Sequence, residues 1–194
     1  MKGELKVFTE QTDLLLQVLN HQRHDWLNHF QVLLGYLRLG KPEQGEEYLQ
    51  RITSLVCQES MIARINCPPL AVLFLTFNAL HKDLLLEVEV ANQTDLSTLV
   101  MGSDRFAALV TELISIIKEH QQVSEYEANS LLVSFASNDH AVEVRFDLTG
   151  RLFESGNEEV EKLLERGENT LMIVEEWSKS DQEWVLALSI PCRT

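Results

Sequence analysis

The sequence predicts an α+β protein in two parts: an antiparallel helical hairpin over residues 1–66 that dimerises into a four-helix bundle, and an α/β sandwich over 67–194. Three observations lead there. A long proline-free stretch carries apolar residues at helical spacing, a Gly-Lys-Pro turn follows it, and beyond Cys67-Pro68-Pro69 helical and alternating segments take turns. A chain of 194 residues suits a small element beside a domain of roughly 100–150 residues.

The first helix is predicted from about Thr12 to Leu39. Leu15, Leu19, Trp26, Phe30, Leu33 and Leu37 recur three and four apart, with Gln22 as a polar interruption. Gly40 suits the residue after a helix end, and Pro42 the first position of the next helix. The second helix is predicted from Pro42 to about Ile65, with Tyr48, Leu49, Ile52, Leu55, Val56, Ile62 and Ala63 on one side. Helices joined by so short a turn lie antiparallel. A two-helix hairpin cannot shield apolar stripes on both its helices, and pairing with a second copy across a two-fold axis covers them. A homodimer is therefore expected.

Cys67-Pro68-Pro69 breaks the helical pattern and separates the two regions. Leu70–Lys82 reads as a buried helix, and Leu84–Ala91 alternates like a strand exposed on one face. Arg105–Gln122 is again helical. Leu131–Ala136 and Val142–Leu148 read as strands around a Ser137-Asn138-Asp139-His140 turn, Glu158–Arg166 as a short helix, and Glu183–Ile190 as a closing strand. An antiparallel sheet covered by helices on one face is the packing expected of that order.

Composition narrows the function. A hydrophobic content of 45% without low-complexity tracts excludes disorder. A formal net charge of −14 repels nucleic-acid backbones and anionic lipid, so no nucleic acid and no membrane is expected as partner, and a basic docking face fits better. Cys57, Cys67 and Cys192 match neither a zinc nor a redox spacing and read as buried or inert thiols in a reducing compartment. The N-terminus lacks a signal-peptide pattern, and the longest apolar run, Pro69–Leu80, is too short to span a bilayer. A cytoplasmic location is expected.

The segment that carries chemistry is Arg23-His24-Asp25-Trp26-Leu27-Asn28-His29. With Leu19 and Trp26 pointing into a bundle, His24 lies more than about 100° away and faces water. Phosphoryl transfer through histidine needs such an imidazole, with Nε2 unprotonated and reachable, and a carboxylate near Nδ1 that holds the tautomer and balances positive charge. Asp25 can supply the carboxylate, Arg23 can hold phosphoryl oxygens, and Asn28, one turn on, can hydrogen-bond the transferred group. Asn20, His21, Asn28 and Gln31 flank His24 and are the candidate docking contacts for a partner. A lone exposed histidine is more often idle than not, and His21 with His24 lacks the further ligands of a metal site.

The order of features removes that neutrality. With Arg-His-Asp-Trp-Leu-Asn-His-Phe-Gln-Val-Leu-Leu-Gly-Tyr-Leu at 23–37 and Pro-Pro-Leu-Ala-Val-Leu-Phe-Leu-Thr-Phe-Asn at 68–78, the chain resembles the sporulation initiation phosphotransferase B family, related to two-component sensor histidine kinases of the citrate-sensor type. The resemblance implies one phospho-accepting histidine per chain, here His24, on a dimeric four-helix bundle. It implies a C-terminal domain resembling a degenerate histidine-kinase ATPase domain. It also implies transfer from a single-domain response regulator to a DNA-binding regulator of sporulation, with no bound cofactor and with Mg²⁺ supplied by the partner's acidic pocket.

Two other readings compete: an ATP-dependent sensor histidine kinase fragment, and a non-catalytic response-regulator-binding module, which would not require His24. A kinase needs a metal-binding Asn on the helix where this chain has Thr111-Glu112-Leu113-Ile114-Ser115-Ile116-Ile117, and the position falls on Ile116. Asp147-Leu148-Thr149-Gly150 keeps an Asp but lacks the glycine two positions later, and Arg151–Thr170 is rich in glutamate rather than glycine. ATP use is not expected.

Overall fold

The computed structural model describes residues 2–91, 94–122, 129–138, 140–166, 171–180 and 183–193, with the backbone alone for 2–11. Asp139 of the expected turn, and Gly167, Glu168 and Thr170 of the acidic stretch, lie outside the described residues. The chain divides into two compact units, Met1–Cys57 and Gln58–Thr194.

The first unit holds α1 (Lys2–Arg38) and most of α2 (Pro42–Ile62). Helix α1 begins ten residues earlier than expected from Thr12, in a segment with no proline to stop it. Its end is a Schellman closure: Lys41 N–H donates to the Tyr36 carbonyl at 3.0 Å and Gly40 N–H to the Leu37 carbonyl at 3.2 Å. Gly40 takes φ +66° there, which glycine adopts without a Cβ penalty. Pro42 then opens α2, where a missing N–H costs nothing. Between the helices the Tyr48 hydroxyl meets His29 Nδ1 at 2.9 Å, and the Tyr48 ring also packs on Tyr36.

The residues of α1 that turn toward α2 differ from the expected stripe. Val18 is buried and Asp25, His29, Leu33 and Tyr36 are half-buried, whereas Leu15, Leu19, Trp26, Phe30 and Leu37 are exposed. The apolar line at Leu19, Trp26 and Phe30 lies about 60–120° round the helix from Val18 and His29, so α2 covers the neighbouring face instead. Ile52 is buried on α2, while Leu49 and Leu55 remain exposed.

The second unit is a two-layer sandwich of α3 (Pro68–Leu80), β1 (Leu84–Val90), α4 (Ser103–His120), β2 (Asn129–Ser137), β3 (Ala141–Thr149), α5 (Glu154–Leu164), β4 (Ile173–Lys179) and β5 (Glu183–Pro191). The five-stranded sheet runs β1-β2-β3-β5-β4. It is mixed rather than antiparallel, because β1 and β2 pair in parallel from Leu84↔Asn129 to Val90↔Phe135. Their connection passes through α4, and a crossover of that length returns the chain in the same direction. The edge strand β4 was not expected from the sequence. One face of the sheet supplies Leu84, Leu86, Leu131, Val133, Phe135, Val144, Phe146, Leu148, Trp184, Leu186 and Leu188 to the core, where Leu70, Phe74, Phe106, Leu113 and Val160 of the helices meet them.

Several polar details hold this unit together. Asn129, buried between α4 and the sheet, donates to Gln121 Oε1 and to the Gln122 carbonyl, both at 3.0 Å. Trp184 Nε1–H donates to Asn157 Oδ1 at 3.0 Å. Asp95 accepts from Ser97 N–H at 2.9 Å and from its hydroxyl at 2.7 Å, and these bonds lower its carboxyl below the usual range. Burial pushes the Cys67 thiol up. Of the three thiols expected to be buried or inert, Cys67 is buried, Cys192 half-buried and Cys57 exposed on α2. His120 meets the Ser155 hydroxyl at 3.1 Å and Glu159 at 3.4 Å, where α5 packs on the end of α4. Among the described residues no helix is long and apolar enough to cross a membrane.

Candidate functional site

Helix α1 carries the site on the face that neither α2 nor the apolar stripe uses. His24 has 71% of its side chain exposed. Trp26, two residues on, points about 160° away from it. The same face presents Asn20, one turn before, and Asn28 and Gln31, one and two turns after, all exposed.

The Nδ1 edge of His24 is occupied. Asn28 Nδ2 lies 3.1 Å from Nδ1, and Asp25 Oδ1 lies 3.5 Å from it. Among the described residues Nε2 has no partner. The two contacts at Nδ1 belong to different tautomers. An Asn28 N–H donating to Nδ1 leaves the ring proton on Nε2, whereas a protonated Nδ1 donates to Asp25 or, after a half-turn of the amide, to the Asn28 carbonyl. Only the second state presents a lone pair at Nε2.

Asp25 is shared. Its Oδ2 lies 2.8 Å from His21 Nδ1, in the i,i+4 relation, so one carboxylate stands between two imidazoles. Arg23 donates to Asn20 Oδ1, which turns its guanidinium toward the N-terminal side of His24 rather than over the ring. The structure thus brings His21, His24, Asp25 and Asn28 into one hydrogen-bonded group, places Asn20 and Gln31 beside it, and holds Arg23 through Asn20. The sequence reading placed His21 among the docking residues and missed its bond to Asp25. The i,i+4 spacing of the pair was the available signal. Among the described residues no three His, Cys, Asp or Glu side chains gather in a metal-binding arrangement.

In the second unit the helix that would carry a kinase's metal-binding Asn is α4. Ile116 is buried on it. Gly156 of α5 packs so closely on α4 that a Cβ there would stand 2.4 Å from His120 Cβ. Arg166, just beyond α5, clamps Glu112 with two bonds of 2.8 Å.

Comparison with known proteins places this arrangement. Residues 4–65 match the model of the sensor-kinase SpoOB-type α-helical domain, and residues 66–191 match that of the sporulation initiation phosphotransferase B C-terminal domain. Sporulation initiation phosphotransferase B of Bacillus subtilis is 34% identical over 132 residues, a match covering 68% of this chain and 66% of that protein, just under two thirds of its length. Among solved structures, the blue-light activated histidine kinase of Erythrobacter litoralis shares the fold at 16% identity, with 92% of this chain and 60% of that one covered and a TM-score of 0.50. Histidine kinase AdeS of Acinetobacter baumannii matches at 12% identity, covering 88% and 98%, with a TM-score of 0.43. The chain belongs to the sporulation initiation phosphotransferase B family.

Proposed function

We propose that this member of the family is a phosphorelay phosphotransferase whose His24 accepts a phosphoryl group from a response-regulator aspartate and passes it to a second regulator in the control of sporulation initiation. The observation that carries the reading is His24 itself: an exposed imidazole engaged at Nδ1 by Asp25 and Asn28, with Nε2 directed away from both.

The Nε2 lone pair attacks the phosphorus of the aspartyl phosphate in line. The bond from phosphorus to the carboxylate oxygen breaks, and its electron pair stays on the leaving aspartate. The ring becomes a phosphoimidazolium, and Asp25 balances its charge through the Nδ1 proton. Attack by the second regulator's aspartate on the same phosphorus reverses the step. Acyl phosphate and phosphohistidine are both high-energy species, so catalysis is mainly positioning and charge stabilisation. Mg²⁺ comes with the regulator's acidic pocket. Arg23, released from Asn20, reaches phosphoryl oxygens, and Asn20, His21, Asn28 and Gln31 form the contact surface for the regulators.

The remaining assignments follow from the two units. The exposed Leu15, Leu19, Trp26, Phe30 and Leu37 line is the face of α1 that a second copy covers in a four-helix bundle. The buried Ile116 and the close contact of Gly156 with His120 support a second unit that binds no nucleotide, so His24 is charged by a phosphoprotein in a cytoplasmic setting. The test is transfer from a ³²P-labelled receiver domain to the wild type and to His24→Gln. Label that is acid-labile, alkali-stable and absent from the variant supports the reading. Equal labelling of both proteins contradicts it.

A further inference from the structure

We infer that His21 is a positioning residue for His24. It holds the Asp25 carboxylate against the Nδ1 edge and thereby keeps the ring in the tautomer with a free Nε2 lone pair. The inference rests on the transfer reading above and deepens it.

The reason lies in helix geometry. Residues adjacent in sequence do not face each other on a helix, and Asp25 points about 100° round from His24. Left to itself, a carboxylate there turns to water or toward α2. His21 lies about 60° round from His24 in the same direction, between the two side chains. Helical side chains lean toward the N-terminus, so Asp25 comes down onto the turn that carries His21. The 2.8 Å bond from His21 Nδ1–H to Asp25 Oδ2 swings the carboxylate back, and Oδ1 then stands 3.5 Å from His24 Nδ1.

The consequence is chemical. A carboxylate at Nδ1 accepts only from a protonated Nδ1, which leaves the lone pair on Nε2. Asn28, at 3.1 Å, presents either end of its amide and does not choose between tautomers. The fixed carboxylate makes the choice, and Asn28 follows it by offering its carbonyl. When Nε2 takes the phosphoryl group, the same carboxylate meets the new ring charge without having to move. His21 touches neither phosphorus nor the attacking nitrogen, so its effect on the ring runs through Asp25. An exposed pair of this kind adds little to stability, and variants at His21 are expected to fold like the wild type.

The test uses the full chain with His21→Leu and His21→Asn, since the Asn side-chain N–H replaces the Nδ1 donor. Phosphoramidate serves as a small phosphodonor that needs no docking surface, beside a phosphorylated receiver domain. His21→Leu is expected to slow labelling of His24 by about tenfold with both donors, the worth of one charge-assisted hydrogen bond. With phosphoramidate, which bypasses the docking surface that includes residue 21, His21→Asn is expected to label faster than His21→Leu, because it keeps a donor for Asp25. Long-range ¹⁵N–¹H spectra should show His24 with its proton on Nδ1 in the wild type and His21→Asn, and on Nε2 to a larger extent in His21→Leu. Three results overturn the proposal: His21→Leu slow with the receiver alone, His21→Asn as slow as His21→Leu with phosphoramidate, or a His24 tautomer indifferent to residue 21. If no receiver labels His24 in any form, the transfer reading fails, and the spectra still decide the role of His21.

Discussion

The two units differ in how far each satisfies its own apolar surface. In the sandwich, every strand but the edge strand β4 turns a row of side chains into a sealed core, with Trp184, Phe106 and Phe146 among the fully buried. The hairpin buries little beyond Val18 and Ile52 and leaves Phe30 59% exposed. The hairpin thus leaves apolar side chains exposed on one face of α1, and His24 exposed on another. In the sandwich α5 packs tightly on the end of α4, where Gly156 meets His120. The exposed His24 and the completed core therefore sit in different units.

The largest effect that sharpens this contrast is at His24. His24→Gln is expected to lower phosphoryl transfer by about a thousandfold or more while the unfolding transition of the sandwich, followed by Trp184 fluorescence, stays in place. Next is Phe30→Glu on the uncovered stripe. A charge placed there enters a symmetric interface twice, and sedimentation should show dimer affinity falling by about a hundredfold. Third is Gly156→Ala, which forces α5 off His120 and is expected to cost about 2 kcal/mol in urea unfolding without changing the transfer rate.

The smallest effect is at Asp95. Its carboxyl is lowered in the folded state, chiefly by the Ser97 hydroxyl, so its contribution is present above the unfolded value and is lost as pH falls through the folded one. Asp95→Ala should destabilise by about 1 kcal/mol at neutral pH. The gap to the wild type should close below about pH 4.

Much of the fold is legible because the signals are local. Proline at 68 and 69, Gly40 with Pro42, and the alternation of β1 and β3 place their elements within a few residues. Strand β4 escapes because it is an edge strand with a register shift between Val174 and Glu176, so Ile173–Lys179 never shows a clean alternation. The parallel pairing of β1 with β2 escapes because direction is set by the route through α4, which no residue pattern records. On α1 the apolar period marks a face that stays exposed, while the face turned to α2 is built from Val18, Asp25, His29 and Tyr36, a mixed set that periodicity passes over. At the site, His24, Asp25 and Asn28 are visible in the motif. The bond from His21 to Asp25 depends on side-chain direction and becomes visible only in three dimensions.

The most direct test of the account offers the full-length protein two labelled donors side by side, a phosphorylated receiver domain and Mg²⁺–ATP, and counts acid-labile label on His24. The account predicts label from the receiver, none from ATP, and no competition when unlabelled ATP is added in excess. Label arriving on His24 from ATP would contradict it, because the sandwich would then hold a working nucleotide site despite Ile116 and the closed contact of Gly156 with His120.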